Sequence, residues 1–79
     1  MENLEKYKKC FVDLLGVSGD KVEGLHYQDV DTWDSVGHMT LMSEIEEVFG
    51  IEMDADDIID FDSYESGKKI LSEHYGVKF

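Results

Sequence analysis

The chain contains no proline, so the punctuation of its helices falls to glycine. Three times it reads apolar-Gly-apolar: Leu15-Gly16-Val17, Phe49-Gly50-Ile51 and Tyr75-Gly76-Val77. Each triplet follows a run whose apolar residues recur at spacings of three and four. Glycine adopts the left-handed conformation that ends a helix, and the flanking apolar pair closes over it. Helices ending near Leu15, Phe49 and Tyr75 are therefore predicted.

The first helix is predicted from about Asn3, its N-cap, with Leu4, Tyr7, Phe11, Leu14 and Leu15 on one stripe. Residues 16–33 show no sustained period and read as a long loop, a kind that is uncommon in compact domains and often functional. A second helix starts near Asp34 or Ser35. A short third helix is expected over Asp54 to Asp60, capped by Asp54, with Ile58 and Phe61 turned inward. The last runs from Ser63 to Tyr75, with Asp62 and Glu65 approximating a capping box and Tyr64, Gly67, Leu71, His74 and Tyr75 on its inner stripe. Strand signals are weak. The expected fold class is all-α: one domain over residues 1–79, a small four-helix bundle with a long loop between helices 1 and 2 and a short third helix.

Seven Lys, no Arg and nineteen Asp plus Glu give a net charge of −12. This excludes the electrostatic footprint of a nucleic-acid binder and makes an anionic membrane surface an unfavourable resting place. Between Val22 and Gly67 there are fourteen acidic residues and no Lys. A solvated surface that keeps a small protein soluble accounts for most such charge runs. One cysteine leaves no internal disulfide framework. No apolar run approaches a membrane span, and the start Met-Glu-Asn lacks a signal-peptide core. A soluble, cytoplasmic domain without stable membrane insertion is expected.

On a wheel of about 100° per residue, residues 35–49 show two distinctive faces. Leu41, Ile45, Val48 and Phe49 make a core stripe. Val36, Met39, Thr40 and Ser43 gather opposite, flanked by Glu46 and Glu47. Val36 and Met39 either pack under a loop or anchor a basic partner that the glutamates steer. Ser35 heads this helix, where free N–H groups and the helix dipole favour negative charge. A serine there serves as a simple cap or as the holder of a phosphate ester.

The string DSVGHMTLMSEIEEVFGI, Asp34 to Ile51, resembles the attachment region of acyl carrier proteins: Asp-Ser and an aliphatic residue at the head of the second helix, then acidic residues and a closing Phe. Length, acidity and the expected helix order extend the likeness over the whole chain. The resemblance implies that Ser35 carries a 4′-phosphopantetheine, installed from coenzyme A by a phosphopantetheinyl transferase with Mg²⁺, and that Asp34 supports the site. It implies acyl or aminoacyl thioesters on the arm, delivered to loading and transferring enzymes with basic docking patches that meet Val36, Met39, Glu46 and Glu47. It also implies a monomer, with Leu41, Ile45, Phe49, Ile58, Phe61 and Leu71 lining the core and a pocket for the chain. Val36 replaces the commonest Leu, and Gly37 and Thr40 stand where fatty-acid carriers usually have acids. Trp33 is also foreign to the housekeeping pattern. These departures resemble D-alanyl carriers and suggest a specialised pathway, in secondary metabolism (polyketides, for example) or surface polysaccharide, rather than ordinary fatty acid biosynthesis.

Other constellations lack the spacing for chemistry. Trp33 occupies the place of the first Gly in a G-x-S-x-G elbow, and His26, His38 and His74 form no recognisable triad with Ser35. His38 falls on the core side of the wheel and reads as a satisfied, partly buried histidine. Asp29-x-Asp31 begins a calcium-loop pattern that Trp33, Asp34 and Thr40 break. Cys10 reads as a small apolar filler. No metal site and no catalytic residue is expected, so the chain reads as a scaffold for cargo rather than an enzyme. The reading from another class is an acidic helical interaction module without a cofactor.

Overall fold

The computed structural model describes residues 2–79. Four α-helices follow one another: α1 (Glu2–Leu15), α2 (Ser35–Phe49), α3 (Ala55–Asp60) and α4 (Tyr64–Tyr75). Among the described residues there is no strand, only an isolated bridge between His26 and Ser63. The fold is a small all-helical globule with a long connection between α1 and α2 and a short α3.

The three glycines behave as their sequence context requires. Gly16, Gly50 and Gly76 take φ of 68°, 65° and 68°, the left-handed conformation that glycine adopts without steric cost. Behind them, the amides of Ile51 and Val77 reach back to Glu46 O and Leu71 O, both at 3.0 Å. The helix stops are thus closed locally.

The helix starts depart from expectation in two places. Asn3 lies inside α1 and is not its cap. Its side-chain amide donates to Lys78 O at 2.9 Å, which fastens the C-terminal segment to α1. The box at the start of α4 is formed by Ser63 and Ser66, not by Asp62 and Glu65. Ser63 Oγ accepts from Ser66 N at 3.0 Å, and Ser66 Oγ accepts from Ser63 N at 3.0 Å. A serine at N3 therefore does what a longer glutamate usually does. Asp54 does stand at the α3 N-cap position, but its side chain caps nothing.

Tyr7 and Phe11 of α1 pack on Tyr64 of α4 with ring centroids 4.8 and 5.1 Å apart, a geometry that favours aromatic pairs beyond their buried area. Gly67 is required here. A Cβ at that position would lie 2.2 Å from Phe61 Cζ and 2.3 Å from Tyr7 Oη. Leu41, Met42 and Ile45 bring α2 into the same core. His74 is exposed rather than part of the inner stripe of α4, because it points along the flank towards Asp57.

Residues 16–33 are packed rather than loose. Val22, Leu25 and Trp33 are buried in the common core. Tyr27 N donates to Asp62 O at 2.8 Å, and Tyr64 N donates to Leu25 O at 2.9 Å. Thr32 Oγ1 donates to Leu15 O at 2.7 Å, satisfying a carbonyl that the end of α1 leaves free. The connection is thus sewn to the α3–α4 junction at its middle and to the end of α1 near its own end, which delivers Trp33, Asp34 and Ser35 to one place.

Candidate functional site

Asp34 is the N-cap of α2, with extended backbone and its Oδ1 accepting the Gly37 amide at 2.8 Å. This leaves Ser35 at the first helical position, exposed, and relieves it of any capping role. Its hydroxyl sits at the positive end of a 15-residue helix.

The residue two places further on explains the first turn. A Cβ on Gly37 would lie 1.9 Å from Thr32 O. The strand of loop before the helix therefore runs directly against the helix's first turn, and only glycine permits that approach. An acidic residue at this position is sterically excluded.

Trp33 is fully buried immediately before Asp34. Its indole Nε1–H donates to His38 Nδ1 at 2.9 Å. An indole is a donor only, so His38 accepts at Nδ1 and carries its hydrogen on Nε2. That Nε2–H is 2.8 Å from Ile58 O, near the end of α3. Both ring nitrogens are thus engaged, and the satisfied, partly buried histidine read from the wheel is found.

Beside Ser35 opens a cleft of about 260 Å³. Its walls are Tyr27 from the connection, His38 and Met39 from α2, and Ile58, Ile59 and Phe61 from α3 and its end. Ser35 and Asp62 stand among its lining residues. The exposed large apolar residues lie around this region: Val36 at 76%, Met39 at 53% and Ile59 at 75% exposure. Val36 and Met39 are therefore not packed under a loop. Glu47 is exposed and Glu46 half-buried, with Glu46 Oε2 accepting the Met53 amide at 2.8 Å. That carboxylate braces the segment between α2 and α3 as well as facing the α2 surface. Ile59 contributes to the apolar surface although helical spacing in α2 alone offers no signal for it; its place after the inward Ile58 is the only hint.

Of the residues expected to line a core and pocket, Leu41, Ile45, Phe61 and Leu71 are buried, while Phe49 and Ile58 are partly buried. Only Ile58 and Phe61 reach the cleft. The other four belong to the packed interior.

A larger and more open depression of about 550 Å³ lies on the other side of α3, lined by Asp54, Asp56, Asp57, Asp60, His74 and Tyr75. Asp57, His74 and Tyr75 bond one another within its lining. Tyr75 Oη donates to Asp57 Oδ2 at 2.6 Å, His74 Nδ1 lies 2.9 Å from Asp57 Oδ1, and the Asp54 amide donates to Tyr75 Oη at 2.8 Å. The Tyr75 hydroxyl, and then His74, hold the Asp57 carboxyl below the usual carboxylate range. Among the described residues no group of three or more His, Cys, Asp or Glu has the geometry to hold a metal ion. Cys10 is buried, and burial pushes its thiol up to about 11, so it is a poor nucleophile.

No helix of the described residues is long and apolar enough to cross a membrane. No family model matches the chain, and no solved structure matches it.

Proposed function

We propose that the chain is a carrier protein of the acyl carrier type, modified on Ser35 with 4′-phosphopantetheine and without catalysis of its own. The observation that carries this reading is the setting of Ser35: an exposed hydroxyl at the first position of a long helix, capped by its neighbour, beside an apolar cleft. The residues fit such a group. The helix terminus favours the phosphodiester, Asp34 is turned to Gly37 N and leaves the hydroxyl free, and the cleft offers apolar walls next to the attachment point. The arm would supply a thiol that holds cargo as a thioester.

The partners in this reading are a phosphopantetheinyl transferase and cytoplasmic enzymes that load and unload acyl or aminoacyl groups. Val36, Met39 and Glu47 form the exposed α2 surface they would meet, with Ile59 beside it and Glu46 at its edge. The acidic stretch from Val22 to Gly67 would steer their basic patches. An aminoacyl cargo of the D-alanyl kind is the variant of this reading to which the small residue at position 37 points; the clash with Thr32 O, however, explains that glycine by packing alone.

The test is an intact mass after incubation with coenzyme A, Mg²⁺ and a promiscuous phosphopantetheinyl transferase. Wild-type protein should gain one phosphopantetheine and Ser35→Ala none. No gain in folded wild type would overturn the reading and favour an acidic interaction module, whose binding to a basic partner would be salt-sensitive and indifferent to Ser35→Ala.

A further inference from the structure

The hydrogen bonds of His38 join two parts of the molecule that the chain keeps apart. One nitrogen takes the indole hydrogen of Trp33, two residues before Ser35. The other holds the carbonyl of Ile58, in the α3 wall of the cleft. The imidazole lies nearly coplanar with the Trp33 ring, edge to edge through the indole bond, with centroids 6.2 Å apart and planes at 19°, and meets Phe61 edge-on at 6.1 Å. Trp33 in turn is fixed by the connection: its amide donates to Val30 O and its carbonyl accepts from Gln28 N, each at 3.1 Å. Gln28 itself sits at φ 71°, a conformation non-glycine residues seldom adopt, so this part of the connection is held firmly enough to keep it there.

We propose that His38 is a positioning residue for Ser35, tying the α3 wall of the cleft to the Trp33–Asp34–Ser35 segment so that the two move as one unit. α3 has six residues, too few to be stable alone, and outside its own turns it is held by Ile58 against the core, by Phe61, by the Asp57–Tyr75–His74 contacts and by His38. When α3 leaves the cleft, the Ile58 carbonyl leaves His38. A ring released on that side keeps its Trp33 bond and its contact with Tyr27 at 5.6 Å, and turning within them breaks the Trp33 bond. Contents of the cleft are thereby felt at the attachment serine, and an enzyme that grips the segment around Ser35 biases the cleft in return. This inference rests on the carrier reading only for what Ser35 bears; the coupling itself does not need it.

Two variants separate coupling from two independent bonds. His38→Asn keeps an acceptor where Nδ1 stands but is too short to reach Ile58 O. His38→Gln keeps a donor for Ile58 O but no acceptor for the indole. Amide hydrogen exchange is followed by NMR at Ile58 in α3 and Phe61 just after it and at Gln28 and Trp33 in the connection, with Phe11 as the reference for global opening. Coupling predicts that each variant speeds exchange at both sets relative to Phe11, by roughly fivefold, the worth of one hydrogen bond. It also predicts that transfer of phosphopantetheine to Ser35 slows in both. Loss of protection confined to α3 in His38→Asn and to the connection in His38→Gln would overturn the proposal. So would unchanged transfer rates in both variants. Wild-type protein that accepts no phosphopantetheine would sink the carrier reading while leaving the exchange comparison able to decide the coupling.

Discussion

Between α1 and α4 the contacts are aromatic, with one buried hydrogen bond from Tyr7 Oη to Tyr64 O at 2.6 Å, whereas α3 is held by Ile58 and the adjoining Phe61 on the core and by a set of side-chain hydrogen bonds. Tyr7, Phe11 and Tyr64 interlock at centroid distances of 4.8–5.1 Å, and the Gly67 backbone lies so close to Phe61 and Tyr7 that no side chain fits. Around α3, the fixing groups are the Asp57, His74 and Tyr75 side chains on one side and His38 on the other, and Ile59 faces outward. Apolar packing rests on many small contacts made together, so it is held or lost as a set. A few directional bonds can be released one at a time and remade with water. The cleft and Ser35 border on the second kind of contact, so the part of the molecule proposed to open lies next to the part proposed to carry cargo, while the aromatic side keeps the frame.

The contrast breaks most visibly in the two halves' response to truncation. Phe11→Ala should cost about 3–5 kcal/mol, the usual loss for a buried phenylalanine, whereas Ile59→Ala should stay within about 0.5 kcal/mol as for other exposed positions. Urea denaturation followed by circular dichroism measures both. Comparable losses would mean that α3 belongs to the same packed unit as α1 and α4.

Gly37→Ala probes the border between the halves. Alanine gains roughly 1 kcal/mol in helix propensity over glycine, but its Cβ meets Thr32 O at 1.9 Å. The clash should win and leave the protein less stable by about 1–3 kcal/mol, as overpacking does, with slower modification of Ser35. A stabilised variant would show that the connection yields.

The smallest effect concerns pH. The folded Asp57 carboxyl lies below its ordinary value, chiefly through the Tyr75 hydroxyl and then through His74. Its contribution is therefore complete above the unfolded value of about 4 and is lost as pH falls through the folded one. Wild type should be more stable than Asp57→Asn at pH 6, and the gap in urea midpoint should narrow as pH falls below the unfolded carboxyl value. A gap independent of pH would mean that the carboxylate's charge plays no part in holding α3.

The helices and the head of α2 were legible because their signals are local. Glycine after an apolar run ends a helix wherever the run happens to pack, and Asp34 caps the turn that immediately follows it. The two-faced wheel of α2 singled out Val36 and Met39 but left open whether they pack under a loop, and the structure shows them exposed. Nothing local distinguished Ser63 and Ser66 from Asp62 and Glu65 as the box of α4. Each pair has suitable side chains at the same spacing, and in the fold Ser63 is the residue that lies at the N-cap of α4, bridged to His26. The burial of Val22, Leu25 and Trp33 was equally hidden, since a connection without periodicity gives no sign of which of its apolar residues turn inward.

By itself the sequence determined the all-helical class, the four helices and their stops, and the placement of Ser35 at a helix start, because capping and amphipathic spacing act within a few residues. Tertiary structure alone decided which way His38 bonds, why position 37 must be glycine, and that a cleft opens between α2 and α3. Each of these depends on groups distant along the chain: Ile58 lies 20 residues from His38, and the cleft joins Tyr27 to Phe61. Contacts of that kind leave no periodic trace, because what they require is a meeting of surfaces rather than a spacing of residues.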